Sequence, residues 1–416
     1  MPHCPPQAIS HSEDTKISAR YVSDRSSLES VCLEFRNALA NDSRLALDTE
    51  FIRERTYHPV LEIIQVSADG GRLIALIDVP AVDRFDLGPL GDILRDPSVV
   101  KIVHAGGQDM EILAHRLGQP PQNVYDTQIA AAFAGYSLQT GYGPLVQSVL
   151  GVKLSKDEGF ADWSRRPLTP AMRDYAENDV RYLHALQTKL ASLLDRRGRT
   201  EWAAELMQRM VTQAAETPAQ ETLYERVGGK NVLDGRGLAV LRELAIWRDL
   251  EARRRDKPRR SVVKDDFLIE VARRVPQTAS EVLALRSAPQ NLGEKAAEAL
   301  VGCVLRGLAL PPELRPQPDA PLGLDEAGAV LVELLSAVVR VKAVQENLPP
   351  SLLASGDDLR FLAANRKCEG KWPTELFSGW RGAILGNDLR AAMEGRLAIR
   401  WDNKKGNVAL FAIPQE

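Results

Sequence analysis

The sequence predicts an α/β domain built on a central mixed sheet flanked by helices, followed by two mainly α-helical domains. Three observations carry that expectation. Between Tyr21 and Leu194 short β-rich runs alternate with helical stretches. Beyond Gln108 the helical pattern takes over, with apolar positions recurring at three and four. ALPPELRPQPDAPLG then splits the helical half in two, because a proline-rich stretch cannot continue a helix. A length of 416 residues with 44% hydrophobic content also exceeds what one compact core holds.

In chain order, the strand candidates are LALDTEF (45–51), LEIIQVSA (61–68), RLIALIDV (72–79) and VVKIVHA (99–105). Turn-sized gaps separate the first three, including Asp69-Gly70-Gly71, so an antiparallel meander is expected; the fourth follows the helical segment PLGDILRD. That order disfavours a dinucleotide-binding fold, which places a helix after its first strand. MEILAHRLG, DTQIAAAFAG, GPLVQSVLG and the stretch 170–194 are the helices that follow, and TEWAAELMQRMVTQ leads out of the domain. The expected organisation is a flexible tail over 1–20, the α/β domain over 21–215, a helical domain over 230–311, a linker over 312–323 and a second helical domain over 324–416. LAIRWDNKKGNVALFAIP, near the C-terminus, holds two β-like runs around a turn and departs from that helical pattern.

Composition narrows the function. With 26% charged residues and a net charge of −3, the chain has no global basic field, so any nucleic-acid partner is held by local patches. Cys4, Cys32, Cys303 and Cys368 lie far apart without CxxC spacing, which excludes a zinc site or disulfide framework and fits a reducing cytoplasm. The first residues lack the basic start and apolar core of a secretory signal, and no apolar run approaches membrane-spanning length. A cytoplasmic protein without a membrane partner is expected.

Three clusters carry chemistry. Asp48 and Glu50, at i and i+2 of an apolar strand, project from the same face of the sheet, where two like charges call for a cation. A solvent-facing strand end is the bland alternative for this pair taken alone. In KIVHAGGQDMEIL a β-run ends at Gly106-Gly107, and Asp109 falls at the start of the next helix, where it either caps the helix or is aimed at the first pair. In RDYAENDVRYLHAL, Tyr175 and Asp179 stand four apart on one helix face, although a tyrosine so placed is commonly half-buried core. Taken together, four carboxylates and a tyrosine on three elements suit two-metal phosphodiester hydrolysis, since hard divalent ions about 4 Å apart clamp the attacking and leaving oxygens.

DTEFIRERTYHPVLEIIQ closely resembles the first exonuclease motif of the ribonuclease D family. KIVHAGGQDMEIL is similar to the second motif, and EGFADWSRRPLTPAMRDYAENDVRYL to the third in its tyrosine-containing, DEDDy form. The resemblance implies an RNase H-like catalytic domain that removes single nucleotides from RNA 3′ ends, with tRNA precursors as the suggested substrates and a monomer as the suggested state. It also implies two divalent ions, Mg²⁺ or Mn²⁺, held by Asp48, Glu50, Asp109 and Asp179, with Tyr175 positioning the water. Asp48 would bridge both ions, and Asp109 is the ligand expected to act through water. Softer RNA-binding candidates within these motifs are Thr49, Phe51, Gln65, His104, Trp163, Arg165 and Arg166, each with a structural alternative.

The segment LAVLRELAIWRDLEARRRDKPRRSVVKDDFLIEVARRVPQTASEVLAL resembles the HRDC domain, a helical module found in ribonuclease D and RecQ-type helicases. Its basic run adds Arg253, Arg254, Arg255, Lys257, Arg259 and Arg260 as phosphate-binding candidates, with a solvated helix end as the alternative. By position and helical pattern, the last domain is expected to be a second HRDC-like module. Two other functions compete: a DNA exonuclease using the same carboxylates, and a silent nucleic-acid-binding scaffold. Retention of all five site residues speaks against the scaffold, because clustered carboxylates without a cation repel one another.

Overall fold

The computed structural model describes residues 19–82, 87–154, 161–216, 219–318, 323–368, 372–404 and 406–413. Most of the expected tail, residues 158–160 of the third motif and residues 319–322 of the linker lie outside them. Two compact units emerge, one running through Phe51 and from Leu61 to Ala215, the other comprising Ile52–Val60 and the chain from Glu216 onward.

In the first unit a six-stranded sheet has the order β1 (Arg20–Val22), β4 (Leu73–Asp78), β3 (Val60–Ala68), β2 (Arg44–Ile52), β5 (Val100–Val103), β6 (Val124–Asp126). β3 and β4 run antiparallel, while β1 with β4, β2 with β5, and β5 with β6 are parallel, so the sheet is mixed as expected. The four long strands coincide with the four runs seen in the sequence. β1 and β6 had no counterpart there, because three residues are too few to display an alternation.

The helices of this unit are α1 (Arg25–Leu39), α2 (Val79–Val82), α3 (Gly88–Arg95), α4 (Gly107–Leu117), α5 (Thr127–Phe133), α6 (Tyr142–Leu150), α7 (Pro170–Arg181), α8 (Leu183–Arg196) and α9 (Thr200–Ala215). One face of the sheet packs Leu45, Leu47, Ile64, Val66 and Ile77 against Leu28, Phe35, Leu94, Met110 and Leu113 of α1, α3 and α4. The other face meets α7 and α8: Ile63 and Leu76 pack with Trp163, Met172 and Ala176, and Ala46, Ile74 and Ile102 with Val180 and Leu183. Covered on both sides, β3 is buried from Leu61 to Ala68 and reads as a continuous apolar run rather than an alternating one. Gly71, at φ +91°, is required where the β3–β4 turn meets α7, since a Cβ there would collide with the Arg181 carbonyl.

In the second unit α10 (Gly235–Arg255), α11 (Arg259–Val262), α12 (Asp265–Arg274), α13 (Ala279–Leu283) and α14 (Glu294–Ala309) share a core of Leu241, Leu244, Phe267, Val271, Leu300 and Val304. Gly307 lets α14 lie directly on the α10 backbone at Val240. Further on come α15 (Glu326–Glu346), α16 (Pro350–Leu353), α17 (Gly356–Ala364), α18 (Thr374–Phe377), α19 (Gly379–Arg381) and α20 (Asn387–Met393). The two β-like runs pair as an antiparallel hairpin, β7 (Leu397–Asp402) with β8 (Asn407–Ala412). Among the described residues no helix is long and apolar enough to cross a membrane.

Lys101 of β5 is fully buried and donates to the carbonyls of Asp96 and Val99 at 2.6 and 2.7 Å. Burial lowers its pKa from 10.5 to about 8. Below that value the folded and unfolded chains both carry the charge, and the folded state bears the whole cost. Between about 8 and 10.5 the unfolded chain binds more proton, so stability rises with pH. Urea unfolding from pH 7.5 to 10 should show a rise of up to about 3 kcal/mol that Lys101→Met abolishes; identical slopes in the two proteins would contradict this account.

Candidate metal centre

The alternation of β2 decides where its carboxylates point. Leu45 and Leu47 enter the core beneath α1 and α4, so Ala46, Asp48 and Glu50 face α7 and α8. The Thr169 hydroxyl accepts the Met172 amide at 3.2 Å to start α7, with Pro170 at the first helical position. Four residues apart on that helix, Tyr175 and Asp179 share one face. One carboxylate oxygen from each of Asp48, Glu50 and Asp179 lies within 4.8 Å of the others. Burial, then the charges of Asp179, Asp109 and Glu50, push the Asp48 carboxyl well above the ordinary range. A hard, oxygen-only donor set of this kind fits a divalent cation, whose charge would remove that penalty.

Asp109 arrives differently. It is the third residue of α4, 8% exposed, and accepts a hydrogen bond from the Thr49 hydroxyl. Thr49 alternates with Asp48 and Glu50 along β2, so Asp109 is held from the opposite side of the strand and stands outside the three-carboxylate group. Its charge still contributes to the shift of Asp48. The N-cap of α4 is Gly106, which has no side chain to make a capping bond.

Beside the carboxylates opens a cavity of about 510 Å³ lined by Tyr175, Asp179, Tyr142, Gln147, Asn178 and Lys153. Tyr142 donates to the Asn178 carbonyl at 2.8 Å. Burial, then the nearby Asp179 charge, raises its hydroxyl well above the ordinary value and keeps it protonated. Tyr142, Gln147 and Lys153 went unseen in the sequence because they match no motif, the Gly141-Tyr142-Gly143 turn being their one local signal, and Asn178 lies within the third motif but was not singled out there.

Most of the softer candidates have structural work. Phe51 packs against the core beneath α1 and α4, and Trp163 is 2% exposed in the cluster under α7. Arg166 pairs with Asp78 and reaches Glu62 at 3.2 Å, and its guanidinium also bonds the Trp163 carbonyl. Half-buried His104 lies 2.9 Å from the Thr127 hydroxyl and 3.1 Å from the Thr140 carbonyl. Gln65 is fully buried, and neither atom of its amide has a hydrogen-bond partner among the described residues. Arg165 remains exposed.

The basic run is largely neutralised where it stands. Asp249, 1% exposed, receives Arg253 at 2.9 Å, Arg259 at 2.5 Å and the Tyr57 hydroxyl at 2.6 Å, with both guanidiniums against the Tyr57 ring. Arg254 and Arg255 pair with Glu251, and Arg260 with Asp265. Lys257 is the exposed cation of the run for which no ion pair is recorded among the described residues. The net basic surface is therefore smaller than a count of arginines suggests.

Comparison with known proteins agrees with this architecture. A 3′-5′ exonuclease family model matches residues 19–195, and an HRDC domain model matches 237–304. Ribonuclease D of Granulibacter bethesdensis is 37% identical over 375 residues, covering 88% of this chain and 91% of that protein. Ribonuclease D of Zymomonas mobilis is 33% identical over 401 residues, covering 95% and 98%. The crystal structure of Escherichia coli RNase D, an exoribonuclease involved in structured RNA processing, superimposes with a TM-score of 0.79 at 31% identity, covering 91% of this chain and 99% of that one.

Asp249 falls inside the HRDC match. Burial opposes its ionisation, but the bonds from Tyr57 and Arg259 and the adjacent guanidiniums hold its carboxyl below the ordinary value. Asp249→Ala should destabilise the helical unit by about 2–3 kcal/mol, less than a fully buried pair because both arginines reach solvent, and Tyr57→Phe by about 1 kcal/mol. Urea unfolding at pH 7 checks both; a loss below ~0.5 kcal/mol for Asp249→Ala would show the cluster to be idle.

Proposed function

Because the chain belongs to the ribonuclease D family of metal-dependent 3′-to-5′ exoribonucleases, we propose that Asp48, Glu50, Asp109 and Asp179 hold two divalent ions, Mg²⁺ or Mn²⁺, and that Tyr175 orients the attacking water. The observation that carries this reading is the approach of three carboxylates, from β2 and α7, to within 4.8 Å in a domain matched by the exonuclease family. Divalent ions in such a site acidify water and neutralise the charge that develops on the departing 3′ oxygen.

The chain's own residues do the rest. Asp48, costly to ionise among its neighbours, is the ligand that gains most from a cation. Asp109, oriented by the Thr49 hydroxyl, would act on its ion through a water. Tyr175 stands one helical turn before Asp179 and lines the same cavity, which accommodates the 3′-terminal nucleotide. Lys153 supplies a positive charge for a phosphate there, and Gln147 and Asn178 supply amides for sugar or base. Tyr142, kept protonated, ties α6 to α7 and steadies the Asp179 helix. Lys257 and Arg165 are left to meet RNA backbone outside the centre, and the substrates are the 3′ ends of tRNA precursors, taken by a monomer in the cytoplasm.

Incubation of 5′-labelled RNA and DNA of one sequence with Mg²⁺, Mn²⁺ or EDTA tests the reading on a sequencing gel. RNA should shorten one nucleotide at a time from its 3′ end, and EDTA should stop it. Asp48→Asn should lower kcat by about 10³-fold or more, about 4 kcal/mol of transition-state stabilisation. Faster loss of DNA would point to a DNA exonuclease, and no cleavage of either to a silent binder.

Proton linkage gives an independent check. The Asp48 carboxyl must ionise when a cation binds, so binding releases protons and affinity climbs with pH through the raised pKa. Calorimetric Mg²⁺ titrations in two buffers of different ionisation enthalpy should report proton release that Asp48→Asn diminishes; buffer-independent heats would contradict this placement of the ion.

A further inference from the structure

We propose that Asp126 is a positioning residue of the metal centre, setting the strand-to-helix turn that delivers Asp109. This rests on the reading of Asp109 as part of that centre. Asp126 ends β6 directly beside Val103 of β5 and is 1% exposed. As the N-cap of α5, its Oδ1 accepts the amides of Gln128 at 2.7 Å and Ile129 at 3.2 Å. That alone would satisfy a helix cap. The same carboxylate also accepts the amide of Gly106 at 2.9 Å through Oδ2 and that of Ala105 at 3.3 Å through Oδ1. Four N–H groups from two separate strand-to-helix junctions thus converge on one buried side chain.

The junction at Ala105 and Gly106 needs such a hold. Ala105 has φ +55°, a left-handed conformation that a residue with a Cβ adopts only under constraint. Gly106 is pressed so closely on Val103 that a Cβ could not fit, and α4 begins from it without a side-chain cap of its own. Met110 then bonds the Gly106 carbonyl at 2.9 Å, and Asp109 lies within that first turn. A shift of the turn therefore rotates the start of α4 and moves Asp109 relative to Thr49 and Asp48. Thr127, next to Asp126, fastens the same junction by donating to the Val103 carbonyl at 2.9 Å and contacting His104. His104 in turn lies 5.5 Å, ring to ring, from Tyr142, which holds the helix of Asp179.

The test uses the full-length protein and labelled RNA, with exonuclease rate measured against Mg²⁺ concentration for wild type, Asp109→Asn, Asp126→Asn, and Asp126→Asn combined with Ala105→Gly. An asparagine has one acceptor oxygen: with that oxygen in the place of Oδ1 the cap of α5 is kept, and the Gly106 amide loses its acceptor and faces an NH2 group instead. Asp126→Asn should raise the half-activating Mg²⁺ concentration by roughly 10-fold, the scale on which residues that orient metal ligands act. Ala105→Gly, which relaxes the left-handed turn, should recover at least part of that shift. A lower maximal rate at an unchanged Mg²⁺ midpoint would overturn the proposal, since it would mean only a smaller folded fraction; so would a midpoint shift that Ala105→Gly leaves intact. An Asp109→Asn curve identical to wild type would instead remove Asp109 from the centre, and the role of Asp126 with it.

Discussion

Mutual repulsion among carboxylates is the constraint on which this structure turns. Asp48 is pushed well above its ordinary pKa by burial and by three neighbouring acids, and no arginine or lysine enters among the causes of that shift. A protein interior tolerates such an arrangement where the carboxyl takes up a proton or where a cation from outside the chain supplies the positive charge. The surrounding residues are consistent with that demand: Tyr142 is held protonated, and Thr49 donates a neutral hydroxyl to Asp109. Cations nearby, such as Arg166, are already committed to Asp78 and Glu62 elsewhere on the sheet. Three of these acids approach one another closely in an oxygen-only donor set, the kind a divalent cation would accept.

Keeping the acids together requires a rigid frame, and the sheet supplies one by being covered on both faces. β2 carries core residues on one side and carboxylates on the other, so every second residue from Leu45 onward is committed to packing. Slipping the strand by one position would bury Asp48 and Glu50 in the apolar layer beneath α1, a register error with a large penalty. On the opposite side α7 is anchored by Met172, Ala176 and Val180 and by the bond from the Ser67 hydroxyl to the Val180 carbonyl. Anchors on either side of Asp179 leave that helix little freedom to turn its carboxylate away.

The helical unit shows the same economy with opposite charges. Asp249, Glu251 and Asp265 occupy arginines that the sequence alone offers as a phosphate-binding run. Paired arginines at a surface remain exchangeable, since an exposed ion pair is worth little and a phosphate can replace a carboxylate partner. Binding there would therefore be weaker and more salt-sensitive than six free cations would imply.

Much was legible in the sequence because it depends on periodicities the covalent chain imposes. Alternation along LALDTEF places Asp48 and Glu50 on one face, and four-residue spacing places Tyr175 with Asp179; both hold in the fold. The order of motifs, the long strands and the helical second half follow from the same local patterns. Contacts between distant residues could not be read that way. Tyr57 and Asp249 are 192 positions apart, and Asp126 reaches the Ala105–Gly106 turn across 20 or 21. No periodicity encodes such pairings, because they exist only once the strands and helices have packed. Tertiary structure alone decided that Thr49 would hold Asp109 from the far side of β2, that Trp163 would be core, and that most of the basic run would be paired: each depends on which side chains share a small volume, and sequence spacing does not set that distance.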